Sequence, residues 1–593
     1  MRVALLTEGT RPDAPRAGDS WCDRLMDGLA EHEFRLYLLA GQGCTVETRP
    51  GRPAAVHELV MWGRRPPGRG PALHRRRQYL CAYRDLLRAL VLPAERSSFA
   101  PGLYRLAELA REDGALPAFL ASGHAQRALE AIWRSPGADT AAGQPQVCDV
   151  LVAGDLLEQC LRPLSAPWYG SETGGLGSAD VCHVAGGGPA ALPALVAKQL
   201  HGVPFVVTEH GLHLREQYRG YRAAPYRWPV RALLLGFFRL LAEETYRQAA
   251  VLTPGSEFDR RWQQHCGALP DRIRVVHEGT AAVARAAAGP EPEVPTLVWA
   301  GALEPGHDPE VMLHAFARVR ADLPSARLRM YGEEGEPGYL AHCGAIAARL
   351  GLGTAVSFEG GPGGAGAAGI WAAASVVVFS GLAQGSPRLL ADAMLSGRAV
   401  VTTEVGVARE VVGQAGLLVP PRSPQALAGA CLALLGDHER RARTGLAGRL
   451  RAQQRFAVEP VVTAFREIYL ELASRRHALP AAPGTRQQQR AQPFARPAEY
   501  WYLGEPQGVG EPSAGESPGA GAGPTGTGPT GGARRVAAGR GRGTSWAVGA
   551  GERPTGNGDR PEDRASRLFG AARVGAGSGA VGTAEPGALA EAV

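Results

Sequence analysis

The feature that most limits the fold of this chain is the block SGLAQGSPRLLADAMLSG, residues 380–397, which the apolar run AVVTTEVG follows closely. It has the pattern of a strand end, a loop rich in glycine and proline, a short helix and the next strand. Strands separated by helices of this length predict a parallel α/β sheet. The block places Gln384 and Asp392 eight residues apart across the loop-to-helix junction. Because ligands bind at the carboxyl ends of strands in such sheets, this junction is a candidate site.

The same alternation of strand and helix opens the chain. A short apolar strand over residues 2–7 precedes a helix with Ser20 as its N-cap, and the strand FRLYLLAG follows. Further strands are predicted at CDVLVAG, ADVCHVAG and PFVVTEHG, and then at AAVLTPGS and RIRVVHEG after the helix WPVRALLLGFFRLLAEETYRQA. Residues from about 45 to 145 lack this alternation and contain two helix patterns, HRRRQYLCAYRDLLRALVLP and LYRLAELAREDGALPAFLASG. We therefore expect a doubly wound α/β domain with a helical insertion.

A second doubly wound domain is predicted after a linker at about residues 280–294. Its strands are TLVWAG, RLRMYG, VSFEG, SVVVFS, AVVTTEV and GLLVP. Because 593 residues exceed what one core holds, the chain is divided where its pattern changes. The tail is rich in Gly, Pro and Arg and cannot bury enough apolar surface to fold, so we predict that it is disordered. The predicted parts are a first domain over 1–285, a second domain over 286–455, a crossing helix over 456–477 and the tail over 478–593.

The charge of the chain does not indicate a nucleic-acid partner. The formal net charge is +7, and nearly all of the basic residues are arginines because Lys198 is the only lysine. The arginines are spread along the chain or lie in loops and the tail, and no nucleic-acid-binding motif accompanies them. The run HRRR at residues 74–77 is interpreted as a solvated basic face.

Membrane, secreted and metal-binding classes are also disfavoured. No run of about 18 apolar residues is present, so we expect no transmembrane segment. MRVALLTEG enters a strand pattern without the apolar core of a signal peptide, which predicts a cytoplasmic protein. The nine cysteines form no C-x-x-C pair and are interpreted as reduced thiols. A zinc site is the alternative, although the adjacent Cys/His pairs lack a second half at ligand spacing, and we expect no metal. These pairs are Cys182-His183, His265-Cys266 and His342-Cys343.

Several segments together resemble the family 4 glycosyltransferases, which have the GT-B fold. They are LLTEGTRP, SWCDRLMDGL, ADVCHVAG, PFVVTEHGLHLRE and the block from Thr296 to Pro420. The likeness covers about residues 1–475 and is greatest for the branch typified by the Pel-exopolysaccharide glycosyltransferase, which has an extended N-terminal domain. It implies two Rossmann-like doubly wound domains that face each other across a cleft. It also implies transfer of a sugar from a nucleotide donor such as UDP-glucose, with retention of anomeric configuration and without a metal or other cofactor.

The resemblance assigns donor-site roles to residues on both sides of the cleft. Gln384 stands where the family has a glutamate that binds the donor sugar, and Asp392 stands where a second glutamate binds the ribose. Gln keeps a hydrogen-bond acceptor but loses the charge, whereas Asp keeps the charge on a shorter side chain. Gly385 and Ser386 belong to the same donor loop. His210, in an intact Thr-Glu-His-Gly motif, would point toward the reacting sugar, so His210 and Gln384 are the candidate catalytic residues.

The expected phosphate contacts depart further from the family. An arginine and a lysine normally follow the first strand of the second domain, and Ala302 and His307 stand in their places. A nearby diphosphate would favour the protonated form of His307. In the first domain, Arg16 and Ala17 replace a Gly-Gly pair that lets the backbone approach the donor phosphate, and Gly18 follows them. Arg16 would then contribute a phosphate charge from the opposite domain.

Some of these features have simpler explanations that stay open. His210 fits a hydrogen-bonded histidine at a strand end. Glu410 faces the nucleotide side in the family but fits a helix-start carboxylate equally well. Turn geometry alone explains Gly385 and Pro387. Near the hinge, residues 277–279, His-Glu-Gly, replace the usual Pro-Asn-Gly.

The leading hypothesis is a retaining, nucleotide-sugar-dependent glycosyltransferase of polysaccharide or glycoconjugate synthesis, with a glycan or lipid-linked acceptor. A protein partner in a synthesis complex and a peripheral position at the inner face of the membrane stay open. The alternative is a non-catalytic pseudo-glycosyltransferase that serves as partner or scaffold of an active paralogue. A sugar-phosphate epimerase of related bilobal fold is the third hypothesis. The substitutions that motivate the pseudoenzyme are Arg16-Ala17, Ala302, His307, Gln384 and Asp392.

Overall fold

Two parallel six-stranded sheets, each covered by helices, form the described part of the chain. A computed structural model describes residues 1–8, 21–41, 55–62, 68–138, 143–172, 174–280, 287–361, 366–382 and 387–478.

The first sheet has the strand order β3-β2-β1-β4-β5-β6, and every neighbouring pair is parallel. The central strand β1 buries Val3 and Leu5 on one face and Ala4 and Leu6 on the other, because helices cover both faces of the sheet. Its six strands are β1 (Arg2–Glu8), β2 (Glu33–Gly41), β3 (Ala55–Trp62), β4 (Val181–Ala185), β5 (Phe205–Glu209) and β6 (Val251–Pro254).

Ten helices surround this sheet or follow its strands. Most of them pack into one large core that includes the aromatic side chains of Tyr79, Phe119 and Phe237. The helices are α1 (Trp21–Gly28), α2 (Leu73–Val91), α3 (Phe99–Asp113), α4 (Leu116–Leu120), α5 (Gly123–Trp133), α6 (Val147–Leu161), α7 (Ala191–His201), α8 (His213–Ala223), α9 (Trp228–Gln248) and α10 (Glu257–His265).

The second sheet repeats the same topology with the order β12-β11-β10-β7-β8-β9. Its strands are β7 (Thr296–Ala300), β8 (Arg327–Tyr331), β9 (Val356–Phe358), β10 (Val376–Phe379), β11 (Ala399–Thr403) and β12 (Leu417–Val419). The helices after β7 are α11 (Pro309–Asp322), α12 (Tyr339–Arg349), α13 (Gly366–Ala372), α14 (Pro387–Leu395), α15 (Ala408–Val412), α16 (Pro424–Leu435), α17 (His438–Arg455) and α18 (Val458–Ala478).

Each sheet reverses its strand order at one place, between β1 and β4 and between β7 and β10. The loops that leave the carboxyl ends of these strands therefore diverge and open a crevice. In the second sheet, Ser380 follows β10 and joins the two loops. Its hydroxyl lies 2.9 Å from the backbone oxygen of His307 and accepts a hydrogen bond from Trp299 Nε1 at 2.9 Å. The two Rossmann-like domains expected from the sequence are thus present.

The last helix, α18, crosses back from the second domain to the first. Phe465, Tyr469 and Leu472 pack against Val3 and Leu5 of β1. The crossing helix predicted for residues 456–477 thus corresponds to a helix that seals one face of the first sheet.

Two of the predicted strands are absent. CDVLVAG lies in α6, where Val150, Ala153, Leu157 and Leu161 recur at helical spacing on the buried side. A capping box between Gln146 and the third residue of the helix fixes its start.

RIRVVHEG forms no strand either, since Ile273 makes only an isolated bridge to Leu252 of β6. Conversely, β3 is a strand inside the region of about 45–145 that was predicted to be a helical insertion. Helices α2 to α5 do lie in that region.

Other predictions fall outside the described residues. They concern the Ser20 N-cap, residues 281–286 of the predicted linker, and the tail beyond residue 478. In the part of the chain that the structure does describe, no helix is both long and apolar enough to cross a membrane.

Candidate functional site

A pocket lies between the two domains at the carboxyl ends of their strands. Residues from three places meet there: the end of β5 and the loop after β6, the hinge segment 277–280, and helices α14 and α15 of the second domain. Its lining is His210, Gly255, Ser256, His277, Glu278, Gly279, Thr280, Pro387, Arg388, Ala391, Val407, Glu410, Val411 and Phe456.

His210, a predicted catalytic residue, is part of this lining and immediately follows β5. Both of its ring nitrogens are buried and have no hydrogen-bond partner in the described structure. Its ring meets that of Trp21 edge-on at 5.0 Å. Burial, helped by the charge of Arg24, lowers the pKa of His210 to about 3, so the imidazole is neutral at pH 7. A neutral imidazole with two free nitrogens can hydrogen-bond a ligand hydroxyl as donor or acceptor.

The neighbouring Glu209 holds this strand end in place. Its carboxylate accepts hydrogen bonds from Tyr246 Oη at 2.7 Å, Gln263 Nε2 at 2.8 Å and the His213 backbone N–H at 3.3 Å. Burial raises the pKa of Glu209. The glutamate of the Thr-Glu-His-Gly motif is therefore a structural support for His210. Among the described residues, none supplies the hydrogen bond that the simpler explanation of His210 as a strand-end histidine requires.

The hinge segment is tightly packed. Gly279 has a φ of 75°, and a Cβ there would lie 3.0 Å from Cγ2 of Val461 in α18. The Thr280 N–H donates to the Phe456 carbonyl at 2.7 Å. His277 Nδ1 lies 2.9 Å from the Gly255 carbonyl oxygen. These contacts place the side chains of residues 277 and 278 in the pocket.

Glu410, predicted on the nucleotide side, is also in the pocket lining. Both of its carboxylate oxygens accept the Glu257 backbone N–H, at 2.8 and 3.0 Å. Because Glu257 is the first residue of α10, the carboxylate caps a helix of the opposite domain rather than its own helix. Glu410 therefore joins the two domains, and its contact with a nucleotide stays a prediction.

Asp392, the predicted ribose ligand, lies one layer behind the pocket. It is 4% exposed, and its carboxylate accepts a hydrogen bond from the hydroxyl of Thr280 in the hinge. Gln384, the predicted ligand of the donor sugar, lies outside the described residues, as do Gly385, Ser386, Arg16 and Gly18. The structure thus brings His210 and Glu410 together and gives Asp392 a contact that connects α14 to the hinge.

His307, the predicted phosphate ligand, lies in a neighbouring cavity of the second domain. Its Nδ1 is 3.1 Å from Oε1 of Glu304, a carboxylate that the sequence analysis did not consider. The cavity is lined by His307, Trp299, Ala300, Phe379, Ser380, Gly381, Leu389, Leu390, Thr402, Thr403, Val405, Val407 and Ala408. Since Val407 belongs to both linings, this cavity adjoins the pocket between the domains.

Two arginines at the pocket were missed. Arg24, on α1, lies 3.5 Å from Glu278, and Arg388, on α14, is part of the pocket lining. The signal for Arg388 was its position directly after Gly-Ser-Pro in the donor block, whereas nothing in the sequence relates Arg24 to the hinge. Both arginines bring positive charge to the pocket. Neither Ala302 nor His307, which stand at the predicted phosphate positions, is part of its lining.

The described residues hold no group of three or more His, Cys, Asp or Glu side chains arranged to bind a metal ion. His183, from one of the adjacent Cys/His pairs, instead contacts Tyr469 and Thr208 through its two ring nitrogens.

Two protein families match the chain. Residues 1–271 match the domain of unknown function DUF3492, and residues 294–437 match the family described as glycosyl transferases group 1. The chain is also similar to two curated proteins named D-inositol 3-phosphate glycosyltransferase. The one from Thermobispora bispora is 27% identical over 48% of this chain and 68% of its own length. The one from Streptomyces bingchenggensis is 28% identical over 35% of this chain and 50% of its own length.

Among solved structures, HepE (Alr3699) of Anabaena in complex with UDP has a similar fold. It superposes with a TM-score of 0.50 and 13% identity, over 79% of this chain and all of that one. The fold expected from the sequence is confirmed: two Rossmann-like domains in the GT-B arrangement. Residues 294–437 thus match the glycosyl transferases group 1 family, and they follow a segment that matches a domain of unknown function.

Proposed function

We propose that the chain is a retaining glycosyltransferase that uses a nucleotide-sugar donor similar to UDP-glucose. The observation that carries this proposal is the pocket in which His210 of the first domain meets Arg388 and Glu410 of the glycosyl transferases group 1 domain. The curated relatives named D-inositol 3-phosphate glycosyltransferase support the reaction class. The acceptor we propose is a glycan or a lipid-linked sugar in polysaccharide or glycoconjugate synthesis, with a peripheral position at the inner membrane face.

The chemistry of the pocket suits a sugar nucleotide. The neutral His210 offers both ring nitrogens to hydroxyl groups, and Arg388 offers a bidentate cation for phosphate. A ligand bound between two domains would be shielded from water, which would strengthen these interactions. We assign Gln384 to the donor sugar and His307 to the diphosphate. Because arginine, histidine and a helix N-terminus can stabilise a leaving diphosphate, the proposed reaction requires no metal.

The first test is turnover of a panel of UDP-sugars by the full chain and by His210→Ala. We expect hydrolysis or transfer with at least one donor and a rate about 100-fold lower in the variant, since a positioned hydrogen-bonding group of this kind is lost. The matched control is His342→Ala, because His342 is 52% exposed on α12 and remote from the pocket. Absence of binding to every donor, in protein shown to be folded by circular dichroism, would refute the proposal.

The alternative function, a non-catalytic partner or scaffold of an active paralogue, has its own structural support. Two predicted donor ligands already have partners within the chain, Asp392 with Thr280 and His307 with Glu304. Restoring the family residues in the variant Ala302→Arg, His307→Lys, Gln384→Glu, Asp392→Glu separates the two functions. A pseudoenzyme would gain donor binding, whereas a specialised transferase would lose its native activity.

A further inference from the structure

Glu278 lines the pocket, and an arginine from each domain lies near it. Arg24 Nη2 of the first domain is 3.5 Å from Glu278 Oε1, and both side chains are largely buried, at 11% and 23% exposure. On the other side, Arg388 of α14 lines the pocket together with Glu278. Arg388 has the largest charge effect on Glu278, ahead of Arg24. One guanidinium group thus pairs with the Glu278 carboxylate, and a second lines the same pocket.

The two acidic neighbours of Glu278, Asp392 and Glu410, make hydrogen bonds elsewhere. The negative charge of Asp392 raises the pKa of Glu278, but the Asp392 carboxylate itself accepts a hydrogen bond from Thr280. Glu410 accepts the N–H of Glu257 in the opposite domain. Burial raises the pKa of Glu278 despite the two arginines, which shows that desolvation outweighs their attraction. The Glu278 carboxylate is therefore held at a desolvation cost, whereas a diphosphate has more charge and more acceptor oxygens with which to offset its own cost through charge-assisted hydrogen bonds to two guanidinium groups.

A second, independent feature of the pocket indicates a missing ligand. His210 lines the same pocket, and both of its buried ring nitrogens have no hydrogen-bond partner in the described structure. Buried polar atoms are nearly always satisfied in native proteins by protein, water or ligand. The pocket thus combines a pair of cations with a neutral donor or acceptor, which together fit a phosphorylated ligand.

We propose that Glu278 is an internal competitor that occupies the place of an anionic ligand, so that a phosphate group must displace it to reach Arg24 and Arg388. With the proposed function, on which this identification rests, the ligand is the diphosphate of a nucleotide sugar. The position is Asn in the resembled family's Pro-Asn-Gly, so the competitor is a property of this chain. A cation from each domain would then neutralise the diphosphate together with His307. The bound ligand, rather than Glu278, would connect Arg24 to Arg388.

The proposal is tested by calorimetric titration of the full chain with inorganic pyrophosphate. Glu278→Gln keeps the size of the side chain and removes the competing charge, so it should bind pyrophosphate about tenfold more tightly than the natural chain. Arg388→Gln should bind it about tenfold more weakly for the same reason. The matched control is Glu439→Gln, which removes a carboxylate that is 82% exposed and paired with Arg443 on α17, and its affinity should equal that of the natural chain. Equal or weaker binding by Glu278→Gln overturns the proposal.

Thermal unfolding of each variant shows whether it folds. If Glu278→Gln does not fold, Arg24→Gln and Arg388→Gln carry the test, and unchanged pyrophosphate binding by either one overturns the proposal. A parallel titration with UDP-glucose keeps the two proposals distinguishable. The expected pyrophosphate pattern without any UDP-sugar binding would refute the proposed function and leave the competitor in place. UDP-glucose binding that is equal in the natural chain and in Glu278→Gln would refute the competitor and leave the function in place.

Discussion

At the scale of single residues, buried histidines connect the sheet of the first domain to its surroundings. His183, in β4, is fully buried, with Nδ1 2.5 Å from Tyr469 Oη and Nε2 2.6 Å from Thr208 Oγ1. The Thr208 hydroxyl lies 2.6 Å from that of Thr253, which continues the chain of hydrogen bonds across three strands. Burial lowers the pKa of His183 to about 3, so the ring is neutral and donates from one nitrogen while it accepts at the other.

Tyr469→Phe should destabilise the protein because it leaves one buried nitrogen of His183 without a partner. We expect a loss of about 1–3 kcal/mol in the free energy of unfolding, measured by urea denaturation. Tyr218→Phe is the control, since Tyr218 is 50% exposed and should change the unfolding free energy by less than about 0.5 kcal/mol. Equal stabilities of the two variants would show that the His183–Tyr469 contact adds nothing.

At the scale of elements, the sequence predicted most strands because a short apolar run between helices has few other interpretations. The prediction failed where the length and composition of a segment do not distinguish a strand from a helix. CDVLVAG is as apolar as a buried strand, yet it continues into DLLEQCL, and the whole segment forms α6. In contrast, β3 alternates within AVHELVMW, but its neighbourhood of helix patterns concealed it. Its place at the edge of the sheet beside β2 depends on contacts that no local pattern records.

The candidate site was predictable to the same extent. His210 and Glu410 were predicted because the resemblance assigns roles to their positions, and both line the pocket. Arg24 and Glu278 lie far apart in the chain, and only the folded arrangement of α1 beside the hinge brings them to 3.5 Å. The Asp392 contact with Thr280 was likewise hidden, since a motif gives the position of a side chain in the sequence but not its hydrogen-bond partner.

At the scale of the whole molecule, Glu410 makes hydrogen bonds that cross from one domain to the other. Its carboxylate is 18% exposed and accepts the first N–H of α10, where the helix dipole adds to the attraction. His277 Nδ1 lies 4.0 Å from the same carboxylate. This carboxylate on α15 is therefore one of the groups that hold the two domains together.

Glu410→Gln should let the domains separate more often, because a neutral amide interacts less strongly with the N-terminus of α10. A loss of about 1 kcal/mol would raise the population of the separated form about fivefold. Small-angle scattering should then give a larger radius of gyration for the variant than for the natural chain. Glu404→Gln serves as the control, since Glu404 pairs with Arg409 inside the second domain and is 44% exposed. Identical scattering from all three proteins would contradict this role of Glu410.

The course of α18 also determines when the first domain can be completed. Val3 and Leu5 are synthesised long before Phe465 and Tyr469, the α18 side chains that help to cover them. During synthesis this face of the first sheet therefore stays incompletely covered until the second domain and α18 have been made. For this reason the matched segment 1–271 is a unit of sequence similarity but lacks part of its own core.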